Sequence, residues 1–309
     1  MLYLPKKGFL KRMKIYLAEM YPVPTRLLTA ALLNISFFSF LERIHDMRTM
    51  IFSPSTFIGI WSIFALLLIL RLMDELKDGE IDRELFQQRP VPSGKALESD
   101  IWFSLAVVIV LYLAANLWVG GVLWMPLVVL GYSLLMFRYF FIPRVLRKYL
   151  LLNLATHNPI IPIMLSYLVI LFSVERQLPW RNMRWSSIAL LIAMYWSMSF
   201  AWEIARKIRS QEEENAYVTY SQILGRVGAV LSAGTAQTIA FSIGLYFYWT
   251  LSFSKVFLAM LSVGYGMTMW GHVRFILRPN PVTSKLKPFA ERYILSVFIA
   301  RIVQYAFFA

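Results

Sequence analysis

The sequence has no cysteine. That excludes disulfides, thiol nucleophiles and thiolate metal sites, and it leaves the compartment open. Its three histidines, His45, His157 and His272, lie far apart in the chain, which argues against a histidine-rich metal site. Acids are scarce: 17 Asp and Glu stand against 31 Lys and Arg, for a formal charge of +14. Charged residues make up 16% of the chain and hydrophobic residues 59%. Nine apolar runs recur, at roughly 23–41, 54–73, 100–118, 121–141, 149–173, 185–202, 227–250, 254–272 and 288–308. Each is about 20 residues long, the length that crosses hydrocarbon as a helix. The expected fold class is an all-α integral membrane protein with nine transmembrane helices. Runs three and four are joined by Val119, Gly120 and Gly121, a tight hairpin. The first run lies behind a 22-residue basic segment with no small-residue cleavage site after it, so it reads as a span and not as a signal peptide.

Charge predicts the orientation. With the N-terminus placed in the cytoplasm, 22 basic residues fall on cytoplasmic segments and 6 on the opposite side; Arg26, Arg71 and Arg301 lie within or at the edge of spans. This matches the positive-inside rule. The basic excess is dispersed over loops between spans, so it is a topology signature and not a nucleic-acid-binding surface. The expected location is a multi-pass position in a membrane, with a bacterial inner membrane as the specific expectation.

A carboxylate near hydrocarbon is costly, so membrane proteins keep acids where they are needed. Ten of the 17 fall in two short windows: Asp74, Glu75, Asp78, Glu80, Asp82 and Glu84, and then Glu203, Glu212, Glu213 and Glu214. Both windows follow even-numbered spans and so face one compartment. Asp74, Asp78 and Asp82 are spaced i, i+4, i+8. On a helix they share one face about 6 Å apart, where like charges repel. A divalent cation removes that penalty. Carboxylate oxygens suit hard cations, and Mg²⁺ held by few carboxylates usually brings phosphate with it.

At these residues the chain resembles the UbiA superfamily of intramembrane prenyltransferases. The family's first motif, Asn-Asp-x-x-Asp-x-x-x-Asp, is matched by Asp74, Glu75, Asp78 and Asp82, and its Arg-Pro-x-x-Ser-Gly loop by Arg89, Pro90, Ser93 and Gly94. The segment Tyr217–Gly225 is similar to the family's threonine-containing entry into the seventh helix. Tyr132, Ser133 and Arg138 resemble its Tyr-Ser/Thr followed by Lys-Arg, with Phe137 in place of the lysine. The second motif, Asp-x-x-x-Asp in the family, departs: Glu203 holds its first position and Lys207 its second. Lysine does not ligate Mg²⁺ but can meet a diphosphate as a point charge. A second metal would then be bound differently, by Glu203 with a glutamate of 212–214, or be absent.

The resemblance implies a single domain over 1–309, nine helices around a central cavity, and a cytoplasmic cap made by loops 74–99 and 203–226. It implies Mg²⁺ on Asp74, Asp78, Asp82 and Glu203, which are also the catalytic candidates. Lys77, Arg89, Arg138, Arg206 and Lys207 are candidates to hold diphosphate oxygens. The implied partners are a prenyl diphosphate, a small acceptor and the lipid bilayer. Loss of diphosphate leaves an allylic cation, which aromatic faces stabilise. Tyr132, Tyr139, Tyr195, Trp196 and Trp202 lie near the expected active end. Within run five, Asn153, His157 and Asn158 form a polar cluster beside Pro159 and Pro162; Asn158 is the candidate acceptor contact, and bonds to backbone freed by the prolines are the alternative. Asn34 in run one is similar, with helix–helix bonding as its structural reading. A prenyltransferase acting on an aromatic acceptor is the leading reading, and a UbiA-type terpene cyclase acting on the diphosphate alone is the alternative. A transporter would place charges at mid-membrane, whereas these acids sit at the ends of spans. A membrane scaffold has no need of the aspartate row.

Overall fold

All nine apolar runs fold as helices. The computed structural model describes residues 8–47, 53–214 and 218–308, and among these every regular element is helical. In chain order they are α1 (Phe9–Met20), α2 (Val23–Ile44), α3 (Pro54–Lys77), α4 (Gly79–Leu85), α5 (Glu98–Val119), α6 (Trp124–Phe137), α7 (Pro143–Lys148), α8 (Leu150–His157), α9 (Ile160–Glu175), α10 (Trp185–Ala205), α11 (Tyr220–Thr250), α12 (Lys255–Leu277) and α13 (Lys287–Phe308).

Seven of the described segments are long and apolar enough to cross a membrane: α2, α3, α5, α8 with α9, α10, α11 and α12. The other two runs differ for identifiable reasons. Run four yields only the 14-residue α6, because the chain turns left-handed at Tyr139, Phe140 and Phe141, with φ of 49°, 49° and 61°. Run nine yields the 22-residue α13, whose hydropathy is lowered by Lys287, Glu291, Arg292 and Arg301. Run five breaks at Asn158 and Pro159 into α8 and α9. Pro162 falls in the first turn of α9, where a missing N–H costs nothing. The basic N-terminal segment also contains a helix of its own, α1.

The chain divides into two compact units, Met1–Asn34 with Phe52–Arg144, and Ile35–Ile51 with Val145–Ala309. In the first, α3 packs against α5 and α6, and α1 against α5. α3 starts on a capping box: Ser53 Oγ accepts from the Thr56 N–H at 3.2 Å, and Pro54 occupies the first position, where proline is tolerated. Asn116 of α5 donates to Ser62 of α3 at 2.9 Å, which satisfies a buried amide. Asn34 of α2 donates to the Thr56 carbonyl at 3.3 Å. Gly59 makes this approach possible, since a Cβ there would lie 2.4 Å from Asn34 Oδ1. The hairpin after α5 turns at Gly120 and Gly121, with φ of 69° and 68°, a region open to glycine at little cost. α1 lies on the start of α5. Arg12 donates to both carboxylate oxygens of Asp100 at 2.6 Å, and Phe9 meets Phe103 edge-on.

In the second unit α10 packs on α9, α11 and α13, and α12 lies between α11 and α13. One buried cluster joins Ile204 and Ala205 at the end of α10, and Ile208 just beyond it, to Tyr220, Ala229 and Ala233 of α11, Phe275 of α12 and Ala290 of α13. Small residues let these helices approach, as they do between membrane helices in general. A Cβ at Gly264 of α12 would fall 2.0 Å from Ser296 Oγ of α13.

Candidate active site

The three aspartates sit where α3 hands over to α4. Asp78 is the junction, with φ −97° and ψ 9°. The α-type hydrogen bonds nonetheless run through it: the Asp78 N–H reaches the Asp74 carbonyl and the Asp82 N–H the Asp78 carbonyl, both at 2.9 Å. The four-residue ladder that the spacing predicts is therefore present, although α3 ends at Lys77. The side chains differ in environment. Asp74 is half-exposed, at 51%, while Asp82 is buried. Burial, and then the negative charge of Asp74, raise the Asp78 carboxyl above its ordinary value; Lys77 and the Tyr139 hydroxyl oppose this, and Asp82 adds to it. The carboxylates are thus close enough to feel one another.

Cationic groups gather on this row. Lys77 pairs with Asp74 at 3.3 Å and lies 4.7 Å from the centre of the Tyr139 ring. Arg89 donates from Nη1 to both oxygens of Asp82 at 2.6 Å, and its guanidinium lies 4.0 Å over Phe86. Tyr139 donates its hydroxyl to Asp78 at 3.0 Å. This ties the end of α6 to the end of α3. Tyr139 was legible in the sequence only as one aromatic among several, and the left-handed turn that aims it has no sequence signature, since none of its residues is glycine. Tyr132 packs edge-on against Phe140 of the same turn, and the exposed Arg138 lies 5.8 Å from the centre of the Phe137 ring. Glu75 has a structural post: it is buried, paired with Arg71 and within 3.5 Å of the Tyr16 hydroxyl.

The residues of the second acidic window form their own cluster in the second unit. α10 ends at Ala205. Arg206 donates from Nε and Nη2 to the two oxygens of Glu203, at 2.5 and 2.6 Å. Lys207 lies 3.8 Å from the same carboxylate and 5.9 Å from the centre of the Tyr220 ring. The Tyr220 N–H reaches the Lys207 carbonyl at 3.2 Å, and α11 begins on the capping box of Thr219 and Gln222. Glu213 accepts from the Ser210 N–H and hydroxyl and from the Ser284 hydroxyl. Partial burial works to raise its carboxyl, but Ser284 and Ser210 outweigh it and hold the group below its ordinary value. Glu214 accepts from Thr219. These two glutamates are therefore engaged in holding the loop, apart from Glu203. Asn158 is bonded to Trp196, whose Nε1 donates to Asn158 Oδ1.

Among the described residues no three acids or histidines converge as a metal cage. The donor set of the first window still suits Mg²⁺, which uses one or two carboxylates together with phosphate oxygens and water. Asp74 and Asp78 offer such oxygens, while both oxygens of Asp82 are taken by Arg89.

No family model and no curated protein matches the chain by sequence. Two solved structures are similar in fold. A digeranylgeranylglyceryl phosphate synthase, described in membranes, is 17% identical with a TM-score of 0.64, over 95% of this chain and 98% of that one. A UbiA homolog from Aeropyrum pernix K1 is 12% identical with a TM-score of 0.65, over 88% of this chain and 96% of that one. Over nearly the whole chain, the fold is similar to that of these two structures, one of them a UbiA homolog.

Proposed function

We propose that the chain is a Mg²⁺-dependent prenyltransferase that moves a prenyl group from an allylic prenyl diphosphate to a small aromatic acceptor. The observation that carries this reading is the backbone-bonded row Asp74–Asp78–Asp82, with Lys77, Arg89 and Tyr139 drawn onto it, in a chain of this fold. Asp74, Asp78 and Asp82 would hold the ion, with Glu203 as a ligand of any second one. Bound there, Mg²⁺ supplies charge neutralisation that makes the diphosphate a leaving group.

The chain's own groups do the rest. Lys77 and Arg89, now paired with Asp74 and Asp82, exchange those carboxylates for diphosphate oxygens. Arg138, Arg206 and Lys207 are further cations for the same role. The C–O bond of the allylic diphosphate breaks, and its electron pair leaves with the diphosphate. The faces of Tyr132 and Tyr139 stabilise the cation that remains. An aromatic carbon of the acceptor then closes the new C–C bond, and its proton is released. Asn158, held at Oδ1 by Trp196, offers its amide NH₂ to the acceptor.

The same reading includes nine crossings, with α6 and α13 completing the set, a cytoplasmic N-terminus, and loops 74–99 and 203–226 together as a cap over one cavity. The charge distribution over the loops supports it. A second reading, the terpene cyclase, is favoured by Lys207, which stands on Glu203 where the family has a carboxylate.

The test is incubation of purified protein with Mg²⁺ and allylic diphosphates of several chain lengths, first alone and then with acceptors. Prenylated product formed only with an aromatic acceptor supports transfer as proposed. Product formed only with a prenylated glyceryl phosphate, the class in the name of the similar synthase, moves the acceptor assignment. A cyclic hydrocarbon without acceptor supports the cyclase. No diphosphate release from folded protein under any condition would sink the proposal.

A further inference from the structure

Arg301 of α13 is a buried arginine, 2% exposed. Its Nη2 donates to the Ser39 carbonyl, and its guanidinium lies 5.2 Å from the centre of the Phe40 ring and 4.9 Å from that of Phe253. Its Nε is buried and has no hydrogen-bond partner. An unsatisfied donor on a buried cation is expensive, and such groups in membrane proteins mark ligands or pathways.

Arg301 lines a narrow cleft with Arg43 and Gln304 on its polar side, and Met47, Phe253 and Phe308 on its apolar side. Arg43 spends Nε and Nη2 on the Leu251 carbonyl, at 3.1 and 2.9 Å. Gln304 is pinned by the Ser254 N–H at 2.8 Å. The nearby acid Glu42 is held by Arg176 at 2.6 Å, and Glu175 lies 3.6 Å from the same arginine. Among the described residues, these three arginines stand against two glutamates, one positive charge in surplus. The cleft is too small to enclose a lipid, but its rim is apolar at Phe308, which is 47% exposed.

The cleft lies at the far end of the second unit from Glu203 and Lys207. Tyr220 is bonded to Lys207, and 31 residues of α11 lead from it to Thr250, next to Phe253. The helix breaks at Gly225, with φ of 68°, and its stretch from Arg226 to Thr250 alone runs about 36 Å at 1.5 Å per residue. This is a site separate from the proposed chemistry.

We propose that this cleft binds the monoanionic phosphate head of a membrane amphiphile. The phosphate oxygens take the free donors of Arg301 and Arg43, and the chains lie along Phe308. The single surplus charge matches a phosphodiester better than a diphosphate.

Native mass spectrometry from a neutral detergent tests this, with phosphatidylglycerol, phosphatidylcholine and inorganic phosphate as probes. The expected result is retention of one phosphatidylglycerol per chain and little phosphatidylcholine. Arg43→Gln and Arg301→Gln should each weaken retention by about tenfold or more, the scale of a lost charged hydrogen bond. Phe308→Ser, at an exposed site that keeps both arginines, should weaken lipid retention as well. If Arg301→Gln fails to fold, the other two variants carry the test. Equal retention of the two lipids, or parental retention by folded Arg43→Gln and Phe308→Ser, overturns the proposal. Full displacement of the lipid by millimolar inorganic phosphate also overturns it, by assigning the cleft to a free anion.

Discussion

Arg89 holds both carboxylate oxygens of Asp82, each 2.6 Å from its Nη1, while Asp82 itself is 3% exposed. The guanidinium supplies the counter-charge that this buried acid requires. Removing it leaves a buried carboxylate unpaired, so Arg89→Ala should cost about 1–3 kcal/mol of stability. If Asp82 serves a cation, Mg²⁺ should recover part of that loss. The melting temperature of Arg89→Ala should then rise more with Mg²⁺ than that of the parent. A variant that melts like the parent with and without the ion would show that the pair carries no stability.

Asp78 should report metal binding through pH. Burial, and next the charge of Asp74, raise its carboxyl in the folded chain. A carboxyl raised on folding favours the folded state below its unfolded pKa, and loses that contribution as pH climbs through the folded pKa. The ion-free protein should therefore lose stability as pH rises through the window above the ordinary carboxylate value. Mg²⁺ needs the ionised form, so the melting-temperature gain with Mg²⁺ should grow over the same window. Melts with Mg²⁺ or chelator across that range measure both slopes. Asp78→Asn should flatten both and abolish turnover while the protein stays folded; full activity in that variant removes Asp78 from the site.

Tyr139 is expected to act as a positioning residue for Asp78. Tyr139→Phe keeps the ring beneath Lys77 and deletes the hydroxyl that Asp78 accepts. The loss of stability should be about 0.5–1.5 kcal/mol, one ordinary hydrogen bond. Asp78 should also ionise at higher pH, because a donor to its charged form is gone. A shift of the Mg²⁺-dependent pH profile to higher pH, with unchanged affinity at its plateau, is the readout that a purely structural role would not produce.

Lys207 stands 15% exposed beside Glu203, next to the stronger partner Arg206. If it meets diphosphate, Lys207→Gln should weaken substrate binding by about 1.5–3 kcal/mol at fixed Mg²⁺. The Arg206–Glu203 pair would preserve the melting temperature. Lys207→Arg should retain most of the affinity. Unchanged affinity in both variants assigns Lys207 to anchoring its helix at the interface, with its stem buried and its head at the water.

Gly59 tests the packing of the first unit apart from any chemistry. An added Cβ would meet Asn34 Oδ1 at 2.4 Å, so Gly59→Ala should force Asn34 away from the Thr56 carbonyl. The cost should be about 1–3 kcal/mol, the range for overpacking. Equilibrium denaturation in detergent measures it, and Asn34→Ala introduced beside Gly59→Ala should recover part of the loss.

The helices were legible because hydrocarbon imposes its own length scale. A run of about 20 apolar residues has few ways to satisfy its backbone except as a helix, and every one of the nine runs became helical. The aspartate row was equally legible, because four-residue spacing places side chains on one face whatever surrounds them. Hydropathy could not see what ends a helix from outside it. α6 stops at 14 residues because three residues with bulky side chains, Tyr139, Phe140 and Phe141, turn left-handed, and α1 is joined to α5 by one ion pair, Arg12–Asp100, and by the Phe9–Phe103 contact.

Sequence alone therefore determined the class of this protein, its helical segments and the acids that carry its candidate chemistry, since each of these follows from local composition and spacing. Tertiary structure decided which acid each cation meets. Arg89 chose Asp82 seven residues away, whereas Arg71–Glu75 and Arg206–Glu203 are i,i+4 and i,i+3 neighbours that helix spacing already offers. Tyr139 meets Asp78 across 61 residues, and Arg301 meets the Ser39 carbonyl across 262. Local spacing holds no information about such pairs. They form because burial makes an unpaired charge or polar group too costly, and the helix packing determines which partner lies within reach.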